Sequence, residues 1–186
     1  MLTVPITPDH IQRASLLLKD IPIYRGSHRE QAANEVGVLG EIIVREQVKS
    51  RGITLKPIFT TTHDLELSTG YRIEVKTKDR TVTPQPDYEC SVPIYNHDHQ
   101  NVEYYIFVSL QRGRSDKTED LSRFKTAHIV GVANQKMMDD KGVTREKGET
   151  DPRNGTTFWT ACRNIYIRDL VPLEIAIAHW KKAGAN

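Results

Sequence analysis

Cysteine is scarce: Cys90 and Cys162 are the only two in 186 residues, far apart and without a Cys-x-x-Cys spacing. That excludes a disulfide framework and argues against a cysteine zinc site, so both read as reduced, partly buried thiols in a cytoplasmic setting. Long apolar runs are also missing. None approaches the roughly 18 to 20 residues that a bilayer span needs, so no membrane partner is expected. The opening residues MLTVPITPDHIQRASLLLKD place no basic segment ahead of an apolar one, and their LLL run is too short for a signal peptide, so export is not expected. Charge of one sign is lacking too: 26 Lys and Arg stand against 24 Asp and Glu, a formal net charge of +2. Such a balance permits contact with a polyanion without arguing for it. No internal repeat or low-complexity segment is visible.

What is present is an ordered succession of helix and strand patterns. REQAANEVGVLGEIIVREQVKS, residues 29–50, sets Val36, Leu39, Ile42 and Ile43 at helical spacing with Gly52 as a stop. Gly37 and Gly40 weaken this helix by about 1 kcal/mol each relative to Ala, which suggests that something approaches closely there. ITLKPIFTTT is a strand candidate. HDLELSTGYRIEVKTK, residues 63–78, reads as a hairpin, and VEYYIFVSLQ, residues 102–111, as a buried central strand. AHIVGVA and NIYIRDL follow as strands, and VPLEIAIAHWKK as a helix with proline at its start and lysines in its last turn. The proline-bearing stretch 80–102 and the charged, glycine-bearing stretch 138–157 read as irregular loops. The pattern is α/β or α+β, a single domain over 1–186 with a central mixed sheet flanked by helices. Its core is expected over about 29–131, with 132–186 an elaboration.

The hairpin carries the chemistry. Alternation sends Leu65, Leu67, Tyr71, Ile73 and Val75 to one face and Asp64, Glu66, Arg72, Glu74, Lys76 and Lys78 to the other. A Ser68-Thr69-Gly70 turn pairs Leu65 with Ile73, Glu66 with Arg72, and Asp64 with Glu74. Like charges facing across a ladder destabilise it. A cation between the two carboxylates would relieve the conflict, and hard ions such as Mg²⁺ favour such oxygen donors. Lys76, on the same face, would then stand where it can offset charge on a phosphate.

Asp64, followed after nine residues by Glu74-Val75-Lys76, resembles the D…(D/E)xK signature of the PD-(D/E)XK nuclease superfamily, although His63 stands where the family name has proline. The helix GVLGEIIVREQVKSRG resembles the G-x-x-G-E helix of some members. The resemblance spans about residues 34–111 and implies a restriction-endonuclease-like core and a Mg²⁺- or Mn²⁺-dependent nuclease acting on DNA, an endonuclease rather than an exonuclease. It implies Asp64, Glu74, the Val75 carbonyl and Glu41 as metal ligands and Lys76 as the catalytic lysine. Small nucleases of bacteriophages are generally similar, which would place the protein in a host cytoplasm, and a homodimer would suit cutting of both strands. A non-catalytic nucleic-acid-binding protein that keeps the fold, or a hydrolase acting on RNA, are the alternative readings.

Other residues are weighed beside these. Glu35 lies about 120° from Glu41 around the helix, so only one of them can face the hairpin, and Glu41 fits the pattern. Lys78, Arg80, Arg112, Arg114 and Lys117 could grip phosphates or serve as ordinary solvated charges. His97-Asp98-His99 lacks further ligands at zinc spacing and reads as a polar loop. Phe158, Trp159 and Tyr166 could stack on bases, though core packing suits most of them better. The His179-Trp180-Lys181 segment reads as part of a terminal helix with a polar face.

Overall fold

A computed structural model describes residues 1–19, 30–58, 62–95, 100–151, 153 and 155–184, with side chains along the second helix described from Glu35. In chain order the elements are β1 (Leu2–Pro5), α1 (Pro8–Leu17), α2 (Glu30–Lys49), β2 (Leu55–Pro57), β3 (Leu65–Leu67), β4 (Arg72–Arg80), β5 (Glu89–Pro93), β6 (Tyr104–Arg112), β7 (Phe124–Asn134), α3 (Gln135–Lys141), β8 (Val143–Arg145), β9 (Cys162–Tyr166) and α4 (Leu173–Ala183). The fold is mixed α+β, and the helices flank a mixed sheet of order β1-β7-β6-β4-β3-β2. Strands β4 and β6 run parallel, while the other pairings in this sheet are antiparallel. Among the described residues no helix is long and apolar enough to cross a membrane.

The sheet divides two cores. On one face Val75, Ile106, Val108 and Ile129 pack with Leu39, Ile43, Leu173, Ile177 and Trp180, beneath α2 and α4. On the other, Tyr105, Phe107 and Val130 meet Cys90, Val92 and Ile165 from a second, three-stranded sheet of order β5-β9-β8. Both cysteines are free and buried.

Several expectations hold: the long helix, the hairpin, the central strand at β6 and the terminal helix all lie where periodicity puts them. The stretches 80–102 and 138–157 depart from expectation, since they contribute β5, α3 and β8 and thus most of the second sheet. The core is also wider than 29–131. β1 pairs with β7, and α4 supplies Leu173, Ala176, Ile177 and Trp180 to the first core. Helix α1, which periodicity left unassigned, begins with the Thr7 side chain accepting from the His10 N–H and with proline in its first turn.

The two helix glycines part company. A Cβ at Gly40 would overlap the Thr77 side chain of β4, so glycine there lets α2 press against the strand, whereas a Cβ at Gly37 would meet nothing within 4 Å.

Candidate active site at the open edge of β4

The hairpin has the register that parity demands: Leu65 pairs with Ile73 and Glu66 with Arg72, around Gly70 at φ +83°. Asp64 departs from it. Its N–H donates to the Ile73 carbonyl at 3.1 Å, and its Oδ2 accepts the Val75 N–H at 2.8 Å. The expected head-on pairing of Asp64 with Glu74 is therefore replaced by a carboxylate that caps the strand edge where the β3 ladder stops. A short β3 is the reason, because β4 runs on to Arg80 with β6 along its other side. Backbone N–H and C=O of one strand residue point the same way. The Val75 carbonyl thus faces the same open edge as its N–H, beside Asp64.

Glu74 is 5% exposed. Its Oε1 accepts from Lys76 Nζ at 2.7 Å and from Gln100 Nε2 at 2.9 Å, and Lys76 Nζ also donates to Gln100 Oε1 at 3.3 Å. Glu74 Oε2 is buried without a hydrogen-bond partner. Gln100 is buried and clamps acid and base together, a role that no sequence pattern announced. Its one available signal was its position two residues before Val102, where the chain enters the core.

Glu41 reaches the same place from α2, held there by the Gly40–Thr77 contact. Burial first, then the charges of Asp64 and Glu74, push its carboxyl up to about 9, while Arg45 opposes the shift. Asp64 is pushed up to about 7, by burial first and then by Glu74, against the Val75 N–H and Lys76. Three acids from a helix, a strand end and a strand therefore share one field, with Lys76 among them. Glu35 lies elsewhere, lining a depression with Ser15, Leu18, Lys19, Asp120 and Leu121.

The basic residues divide. Arg80 is committed to the interior: its guanidinium donates to Ser109 Oγ at 3.1 Å and the Glu89 carbonyl at 3.3 Å and lies over the Tyr88 ring. Its place on the β4 face under the second sheet withdraws it from the phosphate-gripping role. Lys78, also on that face, has its amine held below the ordinary range by burial first and then by Arg80. Arg112 is paired with Asp79 at 3.0 Å and bonded to the Asp116 carbonyl. Arg114 and Lys117 are exposed in the following loop. Phe158 is buried, Tyr166 lies under the cations of Arg153 and Arg168, and Trp159 is exposed. His179, Lys181 and Lys182 form an exposed polar face on α4. The His97-Asp98-His99 segment lies outside the described residues.

The donors suit a hard cation: carboxylate oxygens and a main-chain carbonyl, with no thiolate or imidazole among them. Among the described residues no three His, Cys, Asp or Glu side chains already stand in a metal-holding group. The unpartnered Glu74 Oε2, next to two acids with raised pKa, is the oxygen that such a cation would satisfy. No protein-family model matches the chain, and no curated protein matches it significantly.

Proposed function

We propose that the protein is a metal-dependent nuclease of restriction-endonuclease-like fold that hydrolyses DNA phosphodiester bonds, an endonuclease rather than an exonuclease. The observation that carries this reading is the convergence of Glu41, Asp64 and Glu74 with Lys76 at the edge of β4, where burial and neighbouring carboxylates hold Glu41 and Asp64 above the ordinary carboxylate range. Buried titratable groups perturbed by each other mark functional sites more often than structural ones.

Asp64, Glu74 and the Val75 carbonyl would hold Mg²⁺ or Mn²⁺, with Glu41 as a further ligand or as the holder of a water. The bound ion would supply an acidified water and charge to offset that of the phosphate. Lys76 presents an ammonium beside Glu74, placed to stabilise negative charge that builds on the phosphate. Gln100 fixes Glu74 and Lys76 relative to one another, so that neither rotates away. The Val75 N–H aims the Asp64 carboxylate along the strand edge.

Incubation with linear, circular, single-stranded and branched DNA and with RNA, each with Mg²⁺, Mn²⁺ or chelator, tests the proposal. Cleavage of DNA that chelator stops is expected. Cleavage of RNA alone would move the substrate assignment, and no cleavage of any of them would leave a nucleic-acid-binding protein that keeps the fold.

A further inference from the structure

Charged side chains on a helix find partners a turn away or on the element packed beside them. Around the second half of α2 they do so. Glu46 is closed by His10 at 3.2 Å and by Arg13 at 3.0 Å. Arg51, just past the helix, meets Gln47 Oε1 at 3.1 Å and Glu174 at 3.5 Å. Arg45 departs from this pattern. It stands one turn beyond Glu41, yet among the described residues it makes neither an ion pair nor a hydrogen bond, and its Nε is buried without a partner. A buried N–H of a charged group left unmatched is costly, so a partner from outside the chain would satisfy it.

The helix sets where that partner would lie. Side chains lean toward the helix N-terminus, so Arg45 leans back over the turn that carries Glu41. Its charge reaches that carboxyl, since Arg45 is the cation that opposes the rise in the proton affinity of Glu41. Val44 and Val48 are fully buried on either side of it, while Arg45 as a whole is half-buried. The Gly40 contact with Thr77 presses this part of α2 against β4. The guanidinium is therefore held beside the three acids without bonding to any of them.

Charge decides the ligand. Lys76 bonds Glu74, whereas Arg45 is left over. With a divalent ion among Glu41, Asp64 and Glu74, the ion, Lys76 and Arg45 together would exceed the three carboxylates by one positive charge. A phosphodiester carries one negative charge, and the planar fork of a guanidinium matches two of its oxygens. Neither Arg80 nor Arg112 is free for this, the one bonded to Ser109 inside the fold and the other paired with Asp79.

We propose that Arg45 is a phosphate-binding residue of the site, its guanidinium taking a backbone phosphate of nucleic acid lying at Glu41, Asp64 and Glu74. The identity of the anion rests on the nuclease reading. Arg45 fixes the place of the strand rather than that of the metal.

Fluorescence anisotropy of labelled duplex DNA, in chelator so that no strand is cut, reads affinity against salt. Arg45→Gln should weaken binding about tenfold, as for loss of one charge-assisted contact. It should also lower the slope of log K against log salt by about 0.9, the loss of one phosphate contact. Arg45→Lys keeps the charge without the fork and should keep the slope while binding more weakly than the wild type. Mn²⁺ binding, read by calorimetry, should be no weaker in Arg45→Gln, because a cation beside the acids has been removed. In cleavage with Mg²⁺, KM should rise more than kcat falls, as for an interaction made in ground and transition states alike. An unchanged slope in folded Arg45→Gln overturns the assignment. So does weaker Mn²⁺ binding with unchanged DNA affinity, the signature of a mere support for Glu41. If Arg45→Gln does not fold, Arg45→Lys decides, and DNA affinity equal to that of the wild type overturns the assignment. A lowered slope with no cleavage by the wild type under Mg²⁺ or Mn²⁺ keeps Arg45 as a phosphate contact and removes the nuclease reading. Cleavage by the wild type with the slope unchanged in Arg45→Gln does the converse, and a wild type that binds no DNA removes both.

Discussion

Glu89 and Glu74 are buried to almost the same depth, 3% and 5% exposed, yet their surroundings are opposites. Glu89 receives two N–H groups of Arg145, at 3.1 and 2.5 Å, and the Asn164 amide at 2.7 Å. Burial works to raise its pKa, but Arg145 and Asn164 outweigh it and hold the carboxyl below its ordinary range. Glu74 shares its pocket with Lys76, Asp64 and Glu41, keeps one oxygen unpartnered, and raises both of its acidic neighbours. Depth alone says little about role. Glu89 is matched by cationic and amide donors, while among the described residues the acids at the edge of β4 outnumber the cations beside them, which is the feature the proposed metal site rests on.

The contrast can be broken most sharply at Arg145. Arg145→Ala would leave the buried Glu89 the Asn164 amide and Arg153 at 3.9 Å, and should cost about 3 to 5 kcal/mol, read by denaturant unfolding and equal with metal or chelator. A small loss, or one that depends on metal, would mean that the Glu89 network is not the structural counterpart. Glu74→Ala and Lys76→Ala should each reduce metal-dependent cleavage at least about a hundredfold while circular dichroism shows a folded chain. Full cleavage by either purified variant removes the catalytic assignment.

Next in size is the comparison along α2. Glu41→Gln should lower activity about tenfold to a hundredfold, in the range seen when a metal site loses a supporting group. Glu35→Gln, in its separate depression, should change it less than about twofold, as for any surface position. The reverse order would transfer the helix contribution to Glu35.

The smallest effect has the opposite sign to that of Arg145→Ala. Asp64→Asn keeps an oxygen for the Val75 N–H and removes one of the repelling charges. It should stabilise the metal-free protein by roughly 0.5 to 1 kcal/mol. In a chain of this size that raises Tm by about 1 to 4 °C. Added Mg²⁺ or Mn²⁺ should stabilise the variant less than the wild type. The pH dependence follows from linkage. The folded pKa of Asp64 lies above its unfolded value, so its contribution is fully present below the ordinary carboxylate range and is lost as pH rises through about 7. The advantage of Asp64→Asn over wild type should therefore vanish near about pH 4 and grow toward about pH 8. Thermal melts across that range, with chelator and with metal, decide it. An advantage independent of pH would separate Asp64 from the titration.

Much of this site was legible because a hairpin constrains its own reading. Leu65 and Leu67 must share a face with Tyr71 and Ile73, which leaves one register and puts Asp64, Glu74 and Lys76 together. The helix angle between Glu35 and Glu41 separated them in the same way, and the Gly40 contact with Thr77 makes that geometry concrete. The second sheet was hidden for a physical reason. Its strands β5, β8 and β9 are short, and Glu89, Arg145 and Asn164 occupy positions where alternation would lead one to expect apolar side chains. Charge that is satisfied internally looks like loop when only composition is visible. Arg80 misled likewise, since its guanidinium finds partners that no local pattern shows. Asp64 was placed correctly along the chain but not in the ladder, because a carboxylate that caps a backbone N–H obeys no strand period.

The pairing of β1 with β7 also has a consequence in time. β1 is synthesised before its partner β7, and the Thr3–His128 contact that joins the two strands spans 125 residues. At 5 to 20 residues per second, synthesis of that interval lasts roughly 6 to 25 s. During it β4, with Glu74 and Lys76, is already made, while β7 and the edge that β1 will cover are still to come. Nascent chains of this protein therefore carry β4 well before the sheet can close, and crowding of such chains favours pairing between neighbours over pairing within one molecule.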